Sequence, residues 1–208
     1  MRVEMWSDLI CPWCYLGSTR LHRALQQFPD ADFDVVYRSY RLNPSLSREP
    51  ELDMADYMTR RYHLTRERAE LGHRRLEALA AREGLHYRMD LMRPVDTLDG
   101  HRVLQLARSR GVQVAVKQRF MAGVLGEGAV ISDHDTLVRL AAEAGLDPDD
   151  TRKTLASDAF LADVERDEAD GRRHRLQSVP FFVFGGTDRL ADAASVDELA
   201  RAVRRNLS

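Results

Sequence analysis

Strand-like sequence in this 208-residue chain is confined to its two ends, and the long middle is helical in pattern. Near the start, Arg2 to Ser7 holds Val3, Met5 and Trp6 in a short run that suits a strand at a sheet centre. Leu16, Leu21, Leu25 and Phe28 then recur at helical spacing up to Pro29. Phe33 to Tyr40, rich in β-branched and aromatic residues, reads as a second strand and stops at Asn43-Pro44. At the far end, Val179 to Phe184 is a compact apolar run followed by Gly185-Gly186, a weak strand at Arg189 to Ala191 and an amphipathic helix from Ser195 to Arg205.

Between these ends the apolar period is that of helices: Met54–Tyr62, Thr65–Glu83, Asp99–Arg110, Val112–Leu125, Asp133–Ala144 and a segment beyond Pro148. Gly84, Gly111, Gly126 and Gly145 fall where helix ends need residues that tolerate positive φ. The order β-α-β, helical block, β-β-α demands one sheet with helices on both faces. The expectation is an α/β chain: a thioredoxin fold made of residues 1–44 and 174–208, interrupted by a large all-helical insertion domain, residues 45–173.

Only two cysteines occur, Cys11 and Cys14, and they fall three residues apart at the start of the first helix. A thiolate is the reactive form of cysteine, and a helix N-terminus offers unpaired N–H groups and the positive end of the helix dipole to stabilise it. Pro12 suits an early helical position, where its missing N–H costs nothing. Cys11 is therefore expected to attack and Cys14, one turn on, to resolve the mixed disulfide. A purely structural disulfide closing so short a loop would add little stability. A zinc site would need two further ligands, and the seven histidines offer no H-x3-5-H pair.

Ser178-Val179-Pro180-Phe181-Phe182-Val183-Phe184 puts a proline at the start of an apolar strand, a position that sheets tolerate. The functional expectation is a cis Val179–Pro180 bond that turns the Val179 backbone toward the cysteines, where an extended substrate could pair with it. Trp13, between the two sulfurs, is expected at the rim of the site.

Charge excludes some partners. The 31 Lys and Arg are interspersed with 33 Asp and Glu for a formal net charge of -2, which leaves no continuous cationic field for a phosphate backbone, so no nucleic acid is expected. Nor is there an apolar run of about 18 residues to span a membrane. Glu4 and Asp8 interrupt the first residues, which rules out a signal-like apolar stretch there and makes a cytoplasmic protein the expectation.

With Ser7-Asp8-x-x-Cys11-Pro12-Trp13-Cys14, Tyr15-x-Gly17 and Val179-Pro180-Phe181-Phe182-Val183, the sequence resembles the DsbA-like FrnE subfamily. Leu42-Asn43-Pro44, Thr97-x-x-x-His101-Arg102 and Gly145-Leu146-Asp147 extend the resemblance over nearly the whole chain. It implies dithiol–disulfide exchange with protein or small-molecule thiols, no metal or organic cofactor, and a cis-proline loop at Pro180. Glutathione could serve as a co-substrate. A sister branch, similar to kappa-class glutathione transferases and 2-hydroxychromene-2-carboxylate isomerases, has serine where Cys11 stands, so the two cysteines favour the redox branch.

Two departures from the subfamily pattern touch the substrate-facing edge: Ser178 stands where glycine is usual, and Leu190-Ala191-Asp192-Ala193-Ala194 replaces Ser-Gly-Ala-Gln. His101 invites either a structural role in its helix or a substrate contact. Two other functions compete with exchange: a glutathione-dependent isomerase or transferase, and a binding module switched by Cys11–Cys14 oxidation. Apolar positions of the helical block could also serve a homodimer interface.

Overall fold

The computed structural model describes residues 1–207. Strand β1 (Arg2–Ser7), helix α1 (Pro12–Leu25) and strand β2 (Asp34–Ser39) form a parallel β-α-β unit, with Met5 opposite Tyr37 in the register. Helices α2 (Met54–Tyr62), α3 (Arg66–Arg82), α4 (Leu98–Ser109), α5 (Gln113–Ala122), α6 (His134–Glu143), α7 (Pro148–Leu155) and α8 (Leu161–Arg173) follow before the chain returns to the sheet. There β3 (Phe181–Phe184) and β4 (Asp188–Ala191) make a hairpin, and α9 (Val196–Leu207) closes the chain. The strand order is β2-β1-β3-β4, with β3 antiparallel to both neighbours.

Local chemistry explains most of these boundaries. Asp53, Thr65, Asp133 and Asp147 each accept the N–H three residues on, which caps α2, α3, α6 and α7. The β3–β4 hairpin turns through Gly185 and Gly186, with φ of 55° and 84°, the positive pair that a tight right-twisted hairpin needs. Pro180 has no N–H to give a ladder, and β3 accordingly begins at Phe181 rather than at Val179.

Alternation along β1 assigns the two faces of the sheet. Trp6 points to α8, donating its indole N–H to the Asp167 carbonyl at 2.7 Å, and Gly171 makes that approach possible because a Cβ there would lie 3.0 Å from the indole. Met5 and Tyr37 point the other way, where Tyr37 Oη meets Ser18 of α1 at 2.6 Å. Sheet and helical block share one continuous hydrophobic core.

Helix α1 begins at Pro12 with Cys11 as its N-cap, as its sequence reading has it. Two other elements differ from theirs. Gly126 is not at a positive-φ helix end: the run after α5 widens into a π-helical turn, Gly123–Glu127, and ends at Gly128 with φ 70°. Gly126 is needed there for space, since a Cβ would lie 2.7 Å from the His86 carbonyl oxygen. The segment beyond Pro148 is two helices, α7 and α8, separated by Phe160 in a left-handed conformation at φ 64°.

Candidate active site

Cys11 is the N-cap of α1, Pro12 its first helical residue, and the Cys14 N–H donates to the Cys11 carbonyl at 3.0 Å. This places the Cys11 sulfur beside the unpaired amides of the first turn and the positive end of the helix dipole. Both cysteines are free thiols. Their surroundings differ: Cys14 is fully buried, whereas Cys11, 4% exposed, lines an open cavity of about 490 Å³.

The proline loop faces the sulfurs. The Cys11 thiol donates to the Val179 carbonyl at 3.7 Å, and the Val179–Pro180 peptide is cis. Gly17 lets α1 come this close, because a Cβ there would stand 3.0 Å from Pro180 Cγ and 3.2 Å from Phe182 Cζ. Trp13 is 45% exposed and stands between the first cavity and a second of about 510 Å³, lined by Val179, Pro180 and Asp192. Tyr87 fixes the turn by donating its hydroxyl to the Pro12 carbonyl at 2.7 Å.

Beneath the sulfurs lie two buried ionisable groups. Asp8 accepts from the Leu9 N–H at 2.7 Å, the Leu42 N–H at 2.7 Å and His101 Nε2 at 3.2 Å. Burial alone would raise its pKa, but the hydrogen bonds, His101 foremost, hold its carboxyl below the ordinary value. Lys117 reaches in from α5, 1% exposed, donating to Ser7 Oγ at 2.6 Å with its ammonium 4.8 Å from the centre of the Tyr37 ring. Burial pushes its pKa down to about 8, against the attraction of Cys14, Asp8 and Cys11. Burial, then the hydrogen bond and charge of Cys11, push the Cys14 thiol well up, and the Lys117 charge opposes this.

Of the residues singled out from sequence, Cys11, Pro12, Trp13 and Val179 line the first cavity, Pro180 lines the second, and Cys14 lies beneath both. His101 is 1% exposed, partners Asp8 and lines neither cavity. Ser178 and Asp192, the two departures at the edge, meet through a 3.1 Å hydrogen bond. Among the described residues no three His, Cys, Asp or Glu side chains gather as a metal site. Sequence reading gives Lys117 no role and takes it as compositional bias, although it is one of only two lysines in a chain that otherwise uses arginine. That was a usable signal, because burial can neutralise lysine but not arginine.

A central β1–α1–β2 unit, a β-hairpin beside it, paired cysteines at the helix start and a proline loop against them define a thioredoxin-fold dithiol protein. The chain belongs to the DSBA-like thioredoxin domain family, whose model matches residues 2–204. Among solved structures, a probable DsbA oxidoreductase from Streptomyces coelicolor is 36% identical, with a TM-score of 0.94 over 100% of this chain and 90% of that one. A 2-hydroxychromene-2-carboxylate isomerase shares the fold at 15% identity and a TM-score of 0.72, covering 99% of this chain and 95% of that one. So does the cytosolic disulfide reductase DsbM from Pseudomonas aeruginosa, at 17% identity and a TM-score of 0.70, covering 100% of this chain and 98% of that one. No curated protein matches the sequence.

Proposed function

We propose that this protein is a thiol–disulfide oxidoreductase that exchanges electrons with protein or small-molecule substrates through a mixed disulfide at Cys11. The observation that carries this reading is the asymmetry of the pair: one sulfur at a helix N-cap on an open cavity, the other fully buried one turn behind it.

The Cys11 thiolate attacks one sulfur of a substrate disulfide, forming a Cys11–substrate bond and releasing the first thiolate, which takes a proton. Cys14 then loses its proton, attacks the Cys11 sulfur and releases the second. Two electrons pass from the protein dithiol to the substrate, leaving a Cys11–Cys14 disulfide; the reverse sequence oxidises a substrate dithiol. Lys117 assists the second step, because its charge opposes the burial that keeps Cys14 protonated. The Val179 carbonyl, beside the Cys11 sulfur, is placed to receive an N–H from an extended substrate.

No metal or organic cofactor enters this scheme. Glutathione fits as a small thiol partner, a reading supported by the solved structure of DsbM with GSH. The FrnE-like motifs belong to the same reading, as does a cytoplasmic setting, in which the pair rests largely reduced. Among the described residues no helix is long and apolar enough to cross a membrane.

The test is insulin reduction together with turnover of a glutathione mixed disulfide, using wild type, Cys11→Ser and Cys14→Ala. Multiple turnovers by wild type, none by Cys11→Ser, and covalent adducts accumulating on Cys14→Ala are expected. Activity retained by Cys11→Ser would instead assign the site to a glutathione-dependent isomerase or transferase.

A further inference from the structure

Met54, Tyr57, Met58, Arg61 and Tyr62 sit on α2 at spacings that place them on one face, and all five line the cavity at Cys11. With Tyr40 and Met89, three of the chain's six tyrosines and three of its seven methionines line this one cavity. Such a wall suits a flat apolar group: the rings offer faces and edges, and the thioethers adapt to fill gaps. A volume of about 490 Å³ is the size of an ordinary small-molecule site.

Arg61 is the one Lys, Arg, Asp or Glu in the lining. Its guanidinium lies 5.7 Å from the Tyr62 ring centre and makes no ion pair or hydrogen bond among the described residues. Acidic groups along α2 and α3 pair elsewhere. Arg66 holds Asp53, Asp56 and Glu70. Arg88 holds Asp90, and Glu77 accepts the Met89 N–H. Within the lining, Arg61 therefore stands as a cation with no acidic partner beside an aromatic wall.

We propose that the substrate taken at Cys11 is a small aromatic disulfide bearing a carboxylate, its ring against the α2 face and its carboxylate on Arg61. This rests on the exchange reading above and names its substrate class. One disulfide and the reduced protein give two aromatic thiols and the Cys11–Cys14 disulfide, so a single turnover needs no other reductant.

The test is stopped-flow single turnover of the reduced protein with two probes: dianionic 5,5′-dithiobis(2-nitrobenzoate) and neutral 4,4′-dithiodipyridine. The ratio of their second-order rate constants is compared in wild type and Arg61→Gln, which cancels any loss of folded protein. Arg61→Gln is expected to lower the anionic-to-neutral ratio about two- to fivefold, the range for one exposed ion pair, and Arg61→Glu to lower it further. Raising ionic strength should shrink the wild-type ratio toward that of Arg61→Gln. An unchanged ratio in both variants overturns the carboxylate-bearing substrate while Cys11-dependent reaction with either probe preserves exchange. Absence of any Cys11-dependent reaction overturns both.

Discussion

The Cys11 sulfur lies 3.7 Å from the Val179 carbonyl oxygen, so the loop after β1 and the loop before β3 meet at the reactive atom across 168 residues of sequence. The neighbouring strands are hydrogen-bonded partners, with Trp6 opposite Phe181 in an antiparallel register. A rigid pair of strands thus sets the distance between nucleophile and substrate-pairing backbone. The helical block reaches the same point from elsewhere: α2 walls the cavity in front of Cys11, while α5 brings Lys117 up behind Cys14.

The first prediction concerns the unequal thiols. Cys14 is fully buried and its pKa is raised, so it presents little thiolate at neutral pH. In the native reduced protein, iodoacetamide should label Cys14 on the order of a hundredfold more slowly than Cys11, with the two rates converging in denaturant. Peptide mass spectrometry of timed samples reads this directly, and comparable native rates would contradict the assigned roles.

Gly17→Ala tests how tightly α1 is pressed on the proline loop. The new methyl would meet Pro180 Cγ at 3.0 Å and Phe182 Cζ at 3.2 Å, and neither the pyrrolidine nor the core ring can yield far. Overpacking costs about 1–3 kcal/mol, which outweighs the gain of up to about 1 kcal/mol from replacing glycine within a helix. A lower urea midpoint with an unchanged slope is expected.

Much of this architecture was legible in the sequence because it rests on local signals. Met54–Tyr62 was readable to the residue, since a capping aspartate precedes it and its apolar face is periodic. The cysteine pair and Pro180 declared themselves by spacing and position. Lys117 and Asp8 did not, because their importance comes from burial against residues on other elements, which no local pattern encodes. The π-helical turn at Gly123–Glu127 escaped for the same reason: Gly126 is set by the His86 backbone, 40 residues earlier in the chain.

Asp8→Asn should be costly and acid-dependent. The carboxylate accepts two backbone N–H groups and His101 Nε2, and an amide in its place would turn a donor toward one of these donors. Leaving a buried donor unsatisfied in this way costs about 1–3 kcal/mol. Because the folded pKa lies below the ordinary 3.8, the wild-type advantage is fully present above pH 3.8 and is lost as pH falls through the folded value. Urea midpoints of the two proteins should differ most near pH 6 and draw together only as pH falls below 3.8.

Lys117→Met separates stability from function. A buried ammonium with its folded pKa down at about 8, against 10.5 when exposed, disfavours folding by about 3 kcal/mol wherever both states are protonated. Between those two values the unfolded chain binds the proton and the folded chain does not, so wild type gains stability as pH rises from 8 to 10.5. Methionine removes this dependence. In the oxidised protein, where neither thiol titrates and burial still dominates, Lys117→Met should be the more stable at pH 7, and its lead should shrink steadily toward pH 10.5. The lost hydrogen bond to Ser7 Oγ trims the lead by about 1 kcal/mol without reversing it. Catalysis should move the other way: without the cation beside Cys14, resolution of the mixed disulfide slows about tenfold while attack by Cys11 changes less, a split that quenched-flow trapping of the intermediate resolves. A variant less stable at neutral pH, or one that resolves its mixed disulfide at the wild-type rate, would reduce Lys117 to a packing residue.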